Sequence, residues 1–163
     1  MHNIYLEIDG VKGQSTSDQG KDQIEVLSFS HSVSMPLSYG SPSGGSRTTG
    51  RAQLGEMSVT KFTDLATPLL YGKVCGGDSI KTVKLHVFQA DSEAGKPLEF
   101  LTYELSNVVI SSLSLSGGSD GRPIESLSLS YTKISCKYQQ QKSEHGVAGS
   151  TPFSWDVAAN KKP

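Results

Sequence analysis

The stretch that most constrains the fold is residues 55–89, because it is the only part of the chain whose pattern changes from strand to helix and back to strand. Residues 56–62 alternate apolar and polar side chains, with Met57 and Val59 on one face, which is typical of a half-buried strand. Beyond the helical segment, a second alternating strand carries Val83, Leu85 and Val87. The rest of the chain has the pattern of strands and turns, so the sequence predicts one helix packed against β structure.

The segment between these two strands has the signals of a short helix. Thr67 followed by Pro68 predicts its start, because a threonine hydroxyl accepts hydrogen bonds from free backbone N–H groups and the fixed φ of proline suits the first turn. Gly76 and Gly77 predict its end, because glycine adopts the left-handed conformation that closes a helix. The expected apolar stripe consists of Leu69, Leu70, Tyr71, Val74 and Cys75. A helix this short, weakened by about 1 kcal/mol at Gly72, is stable only when it packs on a larger structure.

Two further strands are predicted before this stretch. The first covers residues 3–8, where apolar side chains alternate with polar ones. The second covers residues 24–35, with apolar side chains on one face and a row of serines on the other, namely Ser28, Ser30, Ser32 and Ser34. Small neutral hydroxyls make a poor core, so this serine row must face water, another chain or a passing ligand.

A predicted hairpin occupies the second half of the chain. Residues 98–116 are long for one strand, and their alternation shifts near Asn107, which predicts two segments joined through a bulge or bend. Residues 117–121 form the turn, and residues 123–138 return as one strand. Both arms alternate leucine with serine, as antiparallel partners that face one core must do.

Two segments lack this alternation. Residues 36–52 are rich in proline, glycine and serine, which predicts a long extended loop without regular structure. From composition alone such a loop is either a surface loop or a functional one. Residues 158–163 form a polar tail that is expected to fray.

Length and pattern together predict the fold class. A chain of 163 residues is one domain, large enough for its own core. Several short strands and one helix predict an all-β domain: an antiparallel β-barrel of two packed sheets with a flanking helix and a long extended loop. The net charge of -1 gives no signal for nucleic acid or for an anionic membrane.

The residue patterns argue against an enzyme. The 4 histidines are scattered without the spacing of metal ligands. The many serines lack both the Gly-x-Ser-x-Gly elbow and the lysine of a phosphate-binding loop. Cys75 and Cys136 are expected to be reduced thiols that pack as small hydrophobes. The sequence therefore predicts no catalytic residue, no cofactor and no metal.

Several stretches, in matching order and spacing, resemble the haemolysin-coregulated protein (Hcp) family, the tube subunit of bacterial type VI secretion systems. The most specific is residues 58–70, SVTKFTDLATPLL. The others are residues 4–13, 24–30, 138–142 and 153–156. The resemblance covers nearly the whole chain, although Phe29 and His31 stand where many relatives carry tryptophan.

The resemblance implies hexameric rings that stack into a hollow tube, with small effector proteins in the lumen and a spike protein and a contractile sheath as further partners. It favours a lumen lined by Ser28, Ser30 and Ser32. It makes residues 36–52 an inter-subunit loop with contacts from Tyr39, Arg47, Arg51 and Leu54. The N-terminus has acidic residues where a signal peptide has its apolar core, so we expect synthesis in the cytoplasm, followed by type VI secretion to the extracellular space or a target cell.

Two other functional classes stay open. A monomeric ligand-binding or carbohydrate-binding β-barrel would cluster aromatic side chains on one exposed face, whereas Trp155 is the only tryptophan here. A hydrolase would need converging catalytic groups. The size of the particle in solution separates the tube subunit from both, because only the tube subunit must form a ring.

Overall fold

A computed structural model of the protein describes residues 2–39, 47–90, 97–142 and 147–163. Within these residues the chain forms the following elements in order: β1 (His2–Ile8), β2 (Ile24–Glu25), β3 (Ser28–Ser30), β4 (Val33–Ser34), β5 (Leu37–Tyr39), β6 (Arg47–Thr49), β7 (Gln53–Leu54), β8 (Met57–Phe62), α1 (Thr67–Gly76), β9 (Ile80–Ala90), β10 (Pro97–Ser116), β11 (Ile124–Ser130), β12 (Lys133–Gln141) and β13 (Val147–Asp156). No helix in this described part of the chain is long and apolar enough to cross a membrane.

The larger strands form one antiparallel sheet of 9 strands that folds over into two layers. The order is β2, β1, β9, β10, β11, β8 and β3, with β12 added to β10 and β13 added to β12. Strand β10 belongs to both layers, because its first half pairs with β9 and β12 and its second half pairs with β11. The prediction of two packed antiparallel sheets is confirmed, although the path ends at β2 and β3 and the barrel is open among the described strands.

The predicted bend in the long strand is present at Asn107. This residue has φ 51°, and asparagine is one of the few residues that adopts the left-handed region at low cost. A register shift between Ile110 and Ser112 adds a bulge shortly afterwards. The bend lies inside one 20-residue strand and directs its two halves into different layers.

Two predicted strands are interrupted in the structure. Residues 24–35 form three short strands, because each pairs with a different partner. Strand β2 pairs with β1, β3 pairs with β8, and β4 lies outside both layers, where it pairs with β7. The return arm of the hairpin divides near Tyr131 into β11 and β12, which belong to different layers. One strand over residues 123–138 predicts, by strict alternation, that Ile134 lies on the serine face, away from the leucines. That prediction was wrong, since the strand divides and Ile134 is buried in the core.

The core lies between the two layers and is built from the predicted alternation. One layer contributes Leu6, Val83, Leu85, Leu105 and Ile134. The other contributes Met57, Val59, Ile110, Leu127 and Leu129. Each of these side chains is at most 2% exposed. Alternation correctly predicted the buried faces of β1, β8, β9 and β11, but not that of β12.

The helix begins and ends where predicted, but its details differ. Ala66 is the N-cap, and the Thr67 hydroxyl accepts the Asp64 N–H at 3.0 Å instead of capping the helix. Gly77 ends the helix with φ 62°. Of the predicted stripe, Leu70 is buried and Val74 packs on the core, whereas the exposed members are Leu69, Tyr71 and Cys75.

Residues 33–39 and 47–54 run antiparallel to each other as a two-stranded segment, which we call the arm. Strands β4 and β7 pair at its base, and β5 and β6 pair further out. The Gly50 N–H donates to the Pro36 carbonyl at 2.9 Å between these ladders. The predicted extended segment is therefore more regular than expected where it is described, because its backbone groups pair with each other. Residues 40–46 of that prediction lie outside the described residues.

The C-terminal tail contacts the domain at several points. The Val157 N–H donates to the Thr132 carbonyl at 2.8 Å, and Asp156 and Lys161 form an isolated bridge. Fraying of residues 158–163 stays a prediction.

A buried charge cluster joins the helix to the sheet. Lys61 occupies a core-facing position of β8 and is 0% exposed, directly opposite the equally buried Glu125 of β11. Its ammonium lies 2.7 Å from the Glu125 carboxylate and 2.9 Å from that of Asp64. The Phe62 carbonyl accepts a third hydrogen bond at 2.9 Å. The three donors of the lysine are thus satisfied, as a buried ammonium requires.

We predict that Lys61→Met lowers the free energy of unfolding by about 3–5 kcal/mol, because it leaves two buried carboxylates without their cation. The double variant K61M/E125L should regain part of this loss, since it replaces the closest charge pair by apolar side chains. Urea unfolding at one protein concentration measures both. A K61M variant within about 0.5 kcal/mol of the wild type would contradict a structural role for the cluster.

Candidate functional site

The outer side of the layer formed by β10, β11, β8 and β3 is covered by small hydroxyl side chains. Directly opposed residues on antiparallel strands point to the same face. The register aligns two rows of four across these strands: Ser112, Ser128, Ser58 and Ser30 in one row, and Ser114, Ser126, Thr60 and Ser28 in the other. We call these side chains the hydroxyl face.

The hydroxyl face is neutral and lies between two different borders. Most of its side chains are exposed, and only Thr60 and Ser128 are half-buried. At one border Glu56 accepts a hydrogen bond from the Ser111 hydroxyl at 2.7 Å. At the other, Phe62 lies opposite Ile124 in the register, and the Arg122 guanidinium lies 5.0 Å from the Phe62 ring centroid. The surface can therefore form many hydrogen bonds without attracting either sign of charge.

The predicted serine row only partly coincides with this face. Ser28 and Ser30 belong to it through β3. Ser32 lies beyond β3 at the base of the arm, where its carbonyl accepts the Gly55 N–H at 2.8 Å. The other hydroxyls come from strands remote in sequence. Their alternation with leucine was visible in β10 and β11, but the order of the strands was not.

The four predicted interface residues lie at different places on the arm. Tyr39 and Arg47 are opposite each other in the β5–β6 register, and their side chains lie outside the part of the chain that the structure describes. Arg51 donates to the Ala158 carbonyl at 3.2 Å, and Leu54 packs against the core. Arg51 and Leu54 thus hold the arm to its own domain. An inter-subunit role stays a prediction.

The base of the arm is held by a hydrogen-bonded aromatic cluster that sequence reasoning missed. The Tyr131 hydroxyl donates to the Gly55 carbonyl at 2.8 Å, where the arm returns to the sheet. The same hydroxyl lies 2.6 Å from Nε2 of His31, where the arm departs. The Tyr103 ring packs between Phe29 and His31, with centroid distances of 6.0 and 6.1 Å. One tyrosine hydroxyl therefore connects both strands of the arm base.

Burial sets the protonation of this cluster. It lowers the pKa of His31, with a smaller opposing effect from the Gly55 carbonyl. It raises the pKa of Tyr103 and of Tyr131 to about 12. His31 is therefore neutral at pH 7, and both tyrosines keep their protons.

The outer side of the other layer is charged instead of neutral. Across its strands the register aligns Glu7, Lys84 and Glu104. Nearby, Nδ1 of His86 lies 2.6 Å from the Glu99 carboxylate. This hydrogen bond raises the pKa of His86, Glu7 adds to the effect, and burial opposes it. The outer surface of one layer is thus neutral, and that of the other carries charges of both signs.

Solved structures show which class of protein shares this fold. A protein described as a type six secretion system protein is 30% identical, with a TM-score of 0.90 over 100% of both chains. Hcp1 from Salmonella typhimurium is 26% identical, with a TM-score of 0.80 over 99% of both chains. The fold is therefore that of type VI secretion proteins.

Sequence comparison narrows this class to one family. The family model described as "Type VI secretion system effector, Hcp" matches residues 5–138. Protein hcp1 of Pseudomonas aeruginosa is 28% identical over 160 residues, which cover 97% of this chain and 96% of that protein. The chain belongs to the Hcp family.

We predict opposite pH dependences for the two partly buried histidines. The stability that neutral His31 contributes is present above about pH 6.5 and is lost as pH falls through its lowered pKa. The contribution of His86 is present below about pH 6.5 and is lost as pH rises through its raised pKa. His31→Gln should therefore weaken the dependence of the free energy of unfolding on pH at acid pH. His86→Gln should weaken it at alkaline pH.

Urea midpoints at pH 5, 6.5 and 8 test this pair of predictions. Each variant serves as the control for the other, because both changes remove one titrating imidazole and keep an amide that can hydrogen-bond. Profiles that run parallel to the wild type at all three pH values would count against both assignments.

Proposed function

We propose that the protein is the tube subunit of a type VI secretion system. Six copies form a ring, rings stack into a hollow tube, and the tube carries small effector proteins in its lumen. The observation that carries this proposal is the hydroxyl face, which places two rows of neutral side chains on the outer side of one layer. In the ring this layer lines the channel.

The chemistry of the hydroxyl face suits transient cargo. Each hydroxyl exchanges a hydrogen bond with water for one with cargo, at a net gain of only about 0.5–1.5 kcal/mol. Many such contacts retain a protein, yet each one breaks without leaving a charge unpaired. A charged lining would select cargo by its sign, whereas a neutral one admits proteins of different charge.

Open sheet edges support assembly into a ring. Strand β13 has ten residues and, among the described strands, pairs only with β12. An unpaired strand edge is a template for the backbone of a neighbouring chain. Contacts between different surfaces of identical subunits close into a ring when the rotation between copies permits.

The arm supplies further subunit contacts in this proposal. Tyr39 and Arg47 contact a neighbouring subunit, because they lie furthest from the domain among the four predicted residues. Arg51 and Leu54 fix the base from which the arm extends. The spike protein and the contractile sheath are the remaining partners, and the charged outer layer offers ion-pair contacts to a sheath. Secretion by this system delivers the protein outside the cell.

The first expected outcome is a particle of six 17.4-kDa chains, roughly 104 kDa, in light scattering after gel filtration at micromolar concentration. Ring closure buries several interfaces at once, so the hexamer should dominate over smaller species. A monomer at every concentration would contradict the tube subunit and favour the ligand-binding barrel.

The second expected outcome concerns the hydroxyl face. Ser30→Gln and Ser58→Gln place bulky side chains at directly opposed positions of β3 and β8. Each should leave the ring mass unchanged and reduce co-purification of a co-expressed effector protein several-fold, because the surface that contacts cargo is obstructed. Ser135→Gln, opposite Glu104 on the charged layer, is the matched control. Equal retention in all three variants would exclude the hydroxyl face as the cargo surface.

A further inference from the structure

Strand β3 is the shortest strand of the hydroxyl face. It has three residues, and within the described chain it pairs only with β8. It also ends the strand order of the sheet, so its other edge has no described partner. Ser28 and Ser30 belong to the hydroxyl face, whereas Phe29 points inwards and packs against the core. An edge strand this short opens easily unless further contacts hold it.

His31 supplies such a contact just beyond the end of β3. The Tyr103 ring of the other layer packs against both Phe29 and His31, so these two side chains point inwards together. Nε2 of His31 lies 2.6 Å from the Tyr131 hydroxyl. Because that hydroxyl donates its single proton to the Gly55 carbonyl, it accepts the hydrogen of Nε2. The imidazole therefore connects the end of β3 to the point where β11 and β12 divide.

The surroundings of His31 provide no charge that balances an imidazolium. In the described chain the titratable groups that face it are Tyr131, Tyr103 and, behind Tyr103, Cys136 of β12. Burial raises the pKa of all three, so they are neutral at and below pH 7. The carboxylate next to Gly55, that of Glu56, accepts its hydrogen bond at the border of the hydroxyl face instead.

Protonation of His31 therefore favours an open position of β3. A solvated imidazole has a pKa of about 6.5, and burial lowers the pKa of His31 in the closed position. As pH falls below about 6.5, the open form thus takes up the proton first. The ratio of open to closed forms rises by up to about tenfold per pH unit, until the closed form is protonated as well.

We infer that His31 is an acid-sensitive latch for the hydroxyl face: protonation of its imidazole releases β3 and weakens the binding of cargo protein. The release is local, because Phe29 is the inward side chain of β3 and the core between the layers is built mainly from other strands. Ser28 and Ser30 leave their rows when β3 moves, so the cargo surface loses one edge. This inference rests on the proposed tube function and adds a regulation to its cargo surface.

Hydrogen–deuterium exchange at pH 7.5 and 5.5, corrected for the intrinsic pH dependence of amide exchange, measures the opening of β3. In the wild type, exchange of residues 28–34 should rise about threefold or more at pH 5.5, whereas that of residues 125–129 in β11 should not change. His31→Gln should abolish the rise. His86→Gln removes an imidazole from the other layer and is the matched control, which should keep the rise. No rise in the wild type, or an equal rise in His31→Gln, overturns the inference.

Tyr131→Phe separates the hydrogen bond from the titration. It removes the hydroxyl that connects His31 to Gly55, so residues 28–34 should exchange about fivefold faster at pH 7.5, where His31 is neutral. Wild-type exchange in this variant would show that the cluster does not hold β3 and would overturn the inference.

Retention of a co-expressed effector protein tests the consequence for cargo. Wild-type and His86→Gln rings should lose several-fold more cargo in a wash at pH 5.5 than at pH 7.5. His31→Gln rings should lose clearly less at pH 5.5 than the wild type. Titration of the effector itself is common to the three proteins, so the difference between them reports on His31. Equal loss at pH 5.5 from wild-type and His31→Gln rings overturns the inference.

The two proposals can fail separately. If the wild type forms no rings or binds no effector, the tube function fails, and hydrogen–deuterium exchange still reports whether His31 holds β3. If rings retain cargo but neither exchange nor retention depends on His31, the tube function stands and this inference falls.

Discussion

The structure depends on the register of β8 with its neighbours β3 and β11. Side chains alternate between the two faces of a strand, so a slip of one residue would exchange the faces. A slip of β8 would expose Met57 and Val59 and turn Ser58 and Thr60 towards the core. Lys61 and Glu125 meet across the same pair of strands and are satisfied in this register. The core, the buried charge cluster and the hydroxyl face are therefore consequences of one alignment.

The same layer has two different ends, which makes the subunit directional. At one end the Tyr131 hydroxyl connects the departing and returning strands of the arm through His31 and Gly55. At the other end the strands finish with the exposed apolar side chains of Phe62 and Ile124, which are opposed in the register. Because the arm is anchored at its base but pairs with itself further out, it is positioned to project without being part of the core. A directional subunit suits the proposed tube of stacked rings.

The two layers also give the domain two chemically different outer sides. One side carries the neutral hydroxyl face, and the other carries ion pairs such as that between His86 and Glu99. In the proposed tube this difference has a use, because the neutral surface would meet cargo and the charged surface would meet the sheath. Strand β10 produces it by crossing between the layers at Asn107, so that one strand contributes to both surfaces.

Much of the fold followed from local pattern. Alternation located the principal strands and their buried faces, and the Thr67-Pro68 and Gly76-Gly77 signals located the helix, because these features depend on near neighbours in the chain. The buried Lys61 escaped prediction, since a lysine is normally solvated and its partner lies 64 residues away. The hydroxyl face was visible only as separate serine rows. Tertiary structure alone decided which rows become neighbours, because strand order is chosen by packing between segments that local sequence does not connect.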